Sequence, residues 1–507
     1  MRWHDLLAGL DRAGYQVVRA GAPDLEITAI THDSRQAIPG ACFACIPGAV
    51  TDGHDHASDA VARGAVALLV ERPLPLAVAQ AEVPSVRAAL GPVAAMLFGH
   101  PSAAMRVLGV TGTNGKTTTT YLLEMIAGRA GDRAGVVGTV GARVAGEPIA
   151  SANSGVHTTP EASDLQALLA RMRDAGTTAV AMEVSSHALH QHRVDGVQFA
   201  AVCFTNLSHE HLDYHGSLDA YFEAKASLFT RARTPAAAVN LDDARGVELA
   251  ARASRDGIDV WTYAVDGAVE SVADIGATDV EFGVRSTRAT IVDRRGGTDA
   301  VVELPLVGSF NLANALAAAA TARAGGYSFD AVVAGLADPL VVPGRMERVD
   351  AGQPFAVLVD YAHTPDALAR VLAAARPLAE ADGRGDGRVV CVFGCGGDRD
   401  PAKRPLMGAA VAAGADVAVL TSDNPRSEDP QAIADAVLPG LAGAASVRVQ
   451  LDRRAAIAEA LADAEPGDVV VIAGKGHETG QTFAHERTVP FDDRVVAREE
   501  LEALGWS

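Results

Sequence analysis

A chain of 507 residues with 49% hydrophobic and 21% charged side chains reads as a soluble globular protein of about three domains. Its formal net charge of −20 excludes a nucleic-acid-binding face over much of the surface, so any anionic ligand needs a local basic pocket. The start MRWHDLLAGLDRAG lacks the apolar segment of a signal peptide and no apolar run reaches the ~18 residues of a membrane helix; membrane insertion is excluded and the cytoplasm expected.

Residues 1–104 are expected to form a first domain of short strands and helices, most clearly patterned in LEITAITHDSRQAIPGACFACIPG. Cys42 and Cys45 make a C-x-x-C, but GACFACIPG reads as a short buried strand, so both are expected to be small buried hydrophobes. Five cysteines spread this thinly are poor material for a disulfide framework. From 105 the character changes: RVLGV is a buried strand, the loop GVTGTNGKTTTT follows, and a helix is expected from about Lys116 to Arg129. Strand-like runs recur at AGVVGTV, TTAVAMEV, FAAVCFTN and AAAVNL with helical segments among them, which predicts a mostly parallel α/β sheet. GSFNLANALAAAATARAGG reads as an alanine-rich helix capped by glycines. A break near PLVVPGRMERV ends a central domain at 341 and opens a third, 342–507. There FAVLVD, GRVVCVFG, ADVAVLTS and DVVVIAG again alternate with helices.

Open parallel sheets bind ligands at the carboxyl ends of their strands. In the central domain those ends are TGTNGKTT, EVSSHALHQHR and TNLSHEHLDYHG; in the third they are DYAHTPDAL, GCGGDRDPAKRP, SDNPRSEDP and GKGHETGQ. Chemistry at matching edges predicts a cleft between two domains. The first loop departs from the G-x-x-x-x-G-K-[ST] pattern because Val110 stands where a glycine belongs. Its backbone N–H groups from Gly112 to Gly115, followed by a helix N-terminus, nevertheless predict an anion cradle. Lys116 is placed to reach the outer phosphates and the Thr117 hydroxyl to meet Mg²⁺.

Glu183 ends an apolar strand, where a buried acid is costly without a partner. His209, His211 and His215 crowd one loop, but without H-E-x-x-H spacing or paired cysteines they fit a nucleotide cleft better than a zinc site. Lys225 sits near Tyr221, Phe222, Leu228 and Phe229 at near-helical spacing, and on pattern alone a solvated lysine beside an apolar stripe is the better reading. DNPRSEDP is ordinary turn chemistry by itself. With Arg399 and Glu478 on two other strand ends it offers both signs of charge, as a zwitterionic ligand requires.

In this order, THDSR, GTNGKT, TTPE, EVSSHAL, TNLSHEHLDYHG, FNLAN, GRME, DYAHTPDAL, GCGGDRD and GKGHE resemble the Mur ligases of bacterial peptidoglycan synthesis over essentially the whole chain. DNPR resembles the diaminopimelate-adding members, whereas lysine-adding relatives usually depart from it. The family's own loop also lacks the strict glycine. The resemblance implies a three-domain α/β fold: a small N-terminal UDP-substrate domain (1–104), a central ATP-binding P-loop domain with a mostly parallel sheet (105–341) and a C-terminal Rossmann-like amino-acid domain (342–507). It implies that the D-glutamyl carboxylate of UDP-N-acetylmuramoyl-L-alanyl-D-glutamate attacks ATP, giving an acyl phosphate and ADP. The amine of meso-2,6-diaminopimelate then displaces phosphate.

The resemblance places ATP on Gly112, Thr113, Asn114, Gly115, Lys116, Thr117, Thr118, Asn311, Arg345 and Asp360. It makes Lys116, Glu183, His211 and Lys225 catalytic, with Mg²⁺ held by Thr117, Glu183, His211 and Lys225 as its carbamate, N6-carboxylysine. This reverses the pattern reading of Lys225, because an ammonium repels Mg²⁺ while a carbamate supplies negative oxygens. It puts the UDP substrate on Ser34, Thr158, Thr159, Ser185, Gln191 and Arg193. Diaminopimelate falls on Arg399, Asp423, Asn424, Pro425, Arg426, Gly474 and Glu478, Arg426 pairing with the distal carboxylate that lysine lacks. His157 departs from the family's usual Asn, His209–Glu210 departs from Arg or Gln followed by Asp, and PGAVTDGHDH falls in a variable region. The competing readings are a lysine-adding relative, a folylpolyglutamate-synthetase-like ligase, a P-loop kinase or regulatory NTPase, and a nucleotide-sugar-binding module. A monomer is expected.

Overall fold

Short runs of small and β-branched apolar residues, bounded by glycine, proline and polar turns, build three sheets that follow one another along the chain. They are seen in a computed structural model that describes all residues except 13, 16–17, 21–23, 49–50, 150–156, 266, 268–271, 284, 381–386 and 507. The first sheet contains β1 (Val18–Ala20), β2 (Ala29–Thr31), β3 (Ala41–Ala44), β4 (Ala67–Val70) and β5 (Ala79–Glu82), ordered β1-β5-β4-β3-β2, parallel except at β1. β3 and β4 are buried at every position, and with them Cys42 and Cys45. Burial pushes both thiols up to about 12, which leaves them inert near neutral pH.

The second sheet has eleven strands. Its parallel centre is β6 (Arg106–Thr111), β7 (Ala134–Gly138), β10 (Ala179–Glu183), β11 (Ala201–Phe204), β12 (Ala236–Asn240) and β13 (Asp259–Tyr263), with β8 (Gly141–Val144) and β9 (Glu147–Pro148) as an antiparallel border beside β7. Both faces of the centre are covered. The helix Lys116–Arg129 and the alanine-rich helix Ser309–Ala324 pack on one side and Ala162–Asp174 on the other. The small alanine side chains let Ser309–Ala324 be buried along most of its length. Beyond β13 lies an extension not foreseen from the sequence: β14 (Ile275–Phe282), β15 (Thr287–Asp293) and β16 (Thr298–Leu304) form an antiparallel meander. Buried and more exposed residues alternate along β15, so its apolar signal comes at every second position rather than as a continuous run.

The third sheet is ordered β17-β18-β22-β19-β20-β21, from β17 (Glu347–Arg348), β18 (Ala356–Asp360), β19 (Val389–Phe393), β20 (Val417–Leu420), β21 (Val447–Val449) and β22 (Val469–Ala473), and is parallel except at β17. A separate hairpin pairs β23 (Gly480–Thr482) with β24 (Thr488–Pro490). Among the described residues no helix is long and apolar enough to cross a membrane.

Candidate active site

β6 ends at Thr111 and the chain turns through Gly112 into the helix that starts at Lys116. Gly115 caps that helix at φ +88°, a left-handed conformation that disfavours side chains, and a Cβ there would run into the Asn314 amide. The structure divides the predicted anion cradle. Thr113 N donates to Asn206 O (2.8 Å) and Asn114 N to Asn206 Oδ1 (2.9 Å). The first intrahelical bond is Thr119 N to Gly115 O, so the N–H groups at the start of the helix, up to Thr118, carry the positive end of the dipole. Lys116 Nζ lies over the loop, donating to Gly112 O and Thr113 O at 2.8 Å each.

Around this loop is a cavity of about 240 Å³. The central domain contributes Asn114, Lys116, Thr117, Thr139, Thr158, Glu183, Glu210, His211 and Asn314 to its wall; the third domain contributes Arg345, Asp360, Tyr361, His363 and Arg370. Arg345 stacks over the Tyr361 ring at 4.5 Å and donates to Thr117 Oγ1 (3.3 Å). Asp360 is fixed by Met346 N (2.7 Å) and Ala362 N (2.8 Å); burial raises its pKa, against the opposing charge of Arg345. Asn311 is buried, donates to Val307 O (2.9 Å) and lines a neighbouring cavity with Arg345, while Asn314 one turn later faces the loop.

The acidic side was partly legible. Glu183 is 1% exposed and accepts from Thr139 N (3.0 Å) and Thr139 Oγ1 (2.9 Å). Lys225 corrects the pattern reading of a solvated lysine: it too is 1% exposed, with Nζ donating to Gly112 O (2.8 Å) and lying 4.4 Å above the Tyr221 ring. The helix Leu218–Ala226 buries Tyr221, Phe222 and Lys225 together, so the stripe that looked like a core face carries the lysine inward. Burial, reinforced by the charge of Lys116, pushes the Lys225 pKa well below its ordinary value.

Glu210, noted in the sequence only as a departure, lies between His363 Nε2 (3.2 Å) and His211 Nε2 (3.7 Å). Burial opposes its charge, but the hydrogen bond with His363 and the charges of His211, His363 and Lys116 prevail and hold it well below the usual carboxylate range. The signal available was an acid directly before His211. His211 itself sits at φ +56° with its ring 4.7 Å from His187.

Mg²⁺ takes oxygen ligands. Thr117 offers a hydroxyl, and Glu183 and Glu210 offer carboxylates on the same cavity, so this donor set fits that ion. Lys225 fits only as a carbamate. Among the described residues no group of three His, Cys, Asp or Glu side chains is arranged to hold a metal.

The residues assigned to the UDP substrate cluster beside Glu183, apart from Ser34. Thr158 Oγ1 accepts from Thr139 Oγ1 (3.2 Å), and Thr159 Oγ1 donates to Glu183 O (2.9 Å) and accepts from Ser185 N (3.1 Å). Arg193 pairs with Glu161 (2.9 Å) and donates to Thr159 O (3.0 Å) and Gln191 Oε1 (2.7 Å). Ser34 begins a short 3-10 turn in the first domain, half-buried and outside the cavity wall. His32, two residues earlier, links that domain to Ser163 (3.0 Å). In the variable stretch 47–56, positions 49 and 50 lie outside the described residues.

Most residues assigned to the amino acid gather after β20 and β22. Asn424 Nδ2 donates to Glu478 Oε2 (2.9 Å), and Lys475 Nζ donates to Asn424 Oδ1 (3.1 Å) and Glu478 Oε2 (2.9 Å). Lys475 is fully buried and was missed by sequence reasoning, although it stands inside GKGHE. Asp423 is buried beside Gly474, with its Oδ1 3.9 Å from Lys475 Nζ and without a hydrogen-bond partner among the described residues. Burial raises its pKa, against the charges of Lys475 and Arg453. Pro425 is buried, Arg426 is partly exposed after it, and Arg399 is exposed on a shallow pocket shared with His209 and Asp213.

Three family models match the chain: Mur ligase family, catalytic domain, over residues 26–97; Mur ligase middle domain over 110–322; and Mur ligase, glutamate ligase domain over 344–476. The UDP-N-acetylmuramoyl-L-alanyl-D-glutamate–2,6-diaminopimelate ligase of Streptomyces coelicolor is 47% identical, covering 95% of this chain and 94% of its own length. The protein of that name from Gloeobacter violaceus is 45% identical, covering 99% and 98%. A solved structure of a UDP-N-acetylmuramoyl-L-alanyl-D-glutamate–2,6-diaminopimelate ligase superposes with a TM-score of 0.67 at 34% identity, over 97% of this chain and 98% of the other.

Proposed function

The chain belongs to the Mur ligase family, and from that premise we propose how its own residues carry out the family's chemistry. It is an ATP-dependent ligase that adds 2,6-diaminopimelate to UDP-N-acetylmuramoyl-L-alanyl-D-glutamate in peptidoglycan precursor synthesis. The observation that carries the mechanism is the single cavity on which Lys116, Glu183 and Glu210 of the central domain meet Arg345 of the third.

A carboxylate is a poor electrophile because oxide is a poor leaving group; phosphorylation supplies a better one. A D-glutamyl carboxylate oxygen attacks the γ-phosphorus of ATP, the bond to ADP breaks, and an acyl phosphate forms. The amine of diaminopimelate then attacks the carbonyl carbon, loses a proton, and phosphate leaves as the amide forms. Lys116, the helix N-terminus and Arg345 neutralise phosphate charge, and the pocket walls hold the reacting atoms in line. Thr117, Glu183, His211 and carbamylated Lys225 would hold Mg²⁺, which would supply further neutralisation of phosphate charge. Glu210 is added to that acidic set, since its carboxylate lies on the same wall. Carbamylation needs a neutral amine attacking CO₂, and the burial of Lys225 favours the neutral form.

Thr158, Thr159, Ser185, Gln191 and Arg193 receive the muramoyl peptide beside Glu183, and Ser34 a more distant part of the nucleotide. Arg399, Asp423, Asn424, Arg426 and Glu478 receive diaminopimelate, with Arg426 on its distal carboxylate. A cytoplasmic monomer completes the proposal. The domains are taken as 1–104, 105–341 and 342–507, each enclosing one of the three main sheets. The test supplies ATP and the UDP-muramoyl dipeptide with either meso-diaminopimelate or lysine and measures product by mass spectrometry. Diaminopimelate product is expected; equal use of lysine would sink the role of Arg426.

A further inference from the structure

The loops after β19 and β20 are bound to each other by a closed set of hydrogen bonds. Asp398 N donates to Glu428 Oε1 (2.6 Å), while Ser427 N and Oγ donate to the two carboxylate oxygens of Asp398 (3.1 and 2.6 Å). Gly397 N donates to Asn424 O (2.9 Å), and a Cβ at Gly397 would collide with the Pro425 carbonyl. Buried Arg404, on the helix Lys403–Gly414, places Nη2 against both oxygens of Glu428 (2.8 and 2.9 Å).

Asp398 and Arg426 hold φ of +53° and +52°. Non-glycine residues keep that conformation only where their surroundings impose it. Here each sits in one of the two clasped loops. Arg426 N is fixed to Thr482 O (3.1 Å), and its Nη1 donates to Gly397 O (2.6 Å). Among the described residues that is the only hydrogen bond of the Arg426 guanidinium, so the rest of its fork remains for a ligand.

We propose that Glu428, held by Arg404, is a positioning residue for amino-acid selection: it clasps the 394–402 loop to the DNPR loop and thereby aims Arg426 at the distal carboxylate of the incoming diamino acid. The proposal rests on the diaminopimelate reading of Arg426 given above. Glu428 acts through Arg426 rather than on the ligand. Glu428 Oε1 accepts from both Asp398 N and Arg404 Nη2, which fixes the side chain between the two loops. A guanidinium fork must meet a carboxylate in a narrow range of directions. Misplacement of about 1 Å is therefore felt most by the substrate the fork reads.

The test compares full-length wild type with Glu428→Ala and Glu428→Gln. KM and kcat for meso-diaminopimelate are measured at saturating ATP and UDP-muramoyl dipeptide, with KM for ATP, melting temperature and the preference for diaminopimelate over lysine alongside. The expected result is a KM for diaminopimelate raised about tenfold or more, with preference over lysine reduced by a similar factor. KM for ATP and melting temperature should stay near wild type, and Glu428→Asp should recover part of the loss. Unchanged KM and preference would overturn the proposal. So would a parallel rise in KM for ATP with a lowered melting temperature, which is the pattern of a merely structural brace. If Glu428→Ala does not fold, Glu428→Gln carries the same comparison, because it keeps the side chain's shape while losing its charge. A wild type that takes lysine as readily as diaminopimelate defeats the selection reading and the clasp with it; a selective wild type matched by its variants defeats the clasp alone.

Discussion

Lys225 is a buried lysine whose Nζ has a backbone carbonyl and an aromatic face for company. A free ammonium there is costly, and removing the side chain should cost the enzyme its acidic set more than its fold. Lys225→Ala is expected to lose most activity, about 10²-fold or more in kcat, and to regain part of it with added short-chain carboxylic acids that replace the carbamate oxygens. Activity assays with and without acetate or propionate check this. The lack of any rescue, with the variant folded, would count against the carbamate. Glu210 shows the complementary lesson. Its neighbours in sequence gave no view of His363, so its position between two domains had no local signature.

At the scale of elements, β22 is anchored by the acid just before it. Asp468 is 2% exposed; it accepts from Arg388 N (2.8 Å), Arg388 Nη2 (2.6 Å) and Glu465 N (2.9 Å). Burial alone would raise its pKa, yet the Arg388 and backbone hydrogen bonds outweigh it and the folded pKa is lowered. Stability from such a group is fully present above the unfolded pKa of about 3.9 and is lost as pH falls through the lower folded value. Asp468→Asn should therefore destabilise by about 2 kcal/mol at pH 7, and the difference from wild type should shrink as pH drops below about 4. Urea midpoints of both proteins at pH 7 and in acid measure it; a gap that is constant with pH would refute the ionic explanation. Elements were the most legible scale. The core strands of the central sheet and the alanine-rich helix followed from continuous apolar runs and glycine stops, and the helix Lys116–Arg129 from its place after a buried strand and the glycine loop. The meander β14–β16 did not, because half its residues face solvent.

On the scale of the whole molecule, the third domain reaches the phosphate loop directly. Asn114 Nδ2 donates to Asp366 Oδ2 (3.0 Å), His363 meets Glu210 (3.2 Å), and Arg345 meets Thr117 (3.3 Å). These bonds span two independently built sheets, so they report how the domains are set rather than how either folds. Asp366→Ala should raise KM for ATP about tenfold while leaving the melting temperature near wild type. Steady-state kinetics with ATP varied decide it, and an unchanged KM would show that the Asn114 contact does not serve nucleotide binding.

The sequence by itself determined the central strands of the second and third sheets, the phosphate loop and the ordered motifs that mark the family, since each depends on residues a few positions apart and on backbone geometry that glycine and proline dictate. It also put Lys116, Glu183 and the DNPR loop at strand ends, where open sheets present their chemistry. Only the tertiary structure decided that Lys225 is buried against Gly112, 113 residues away, and that Asn114 is held from 252 residues away by Asp366. It alone placed Glu210 on the cavity wall and tied Glu428 to Asp398 of the neighbouring loop. Burial and charge partners are properties of what packs around a side chain, and those neighbours come from remote parts of the chain that no local pattern brings together.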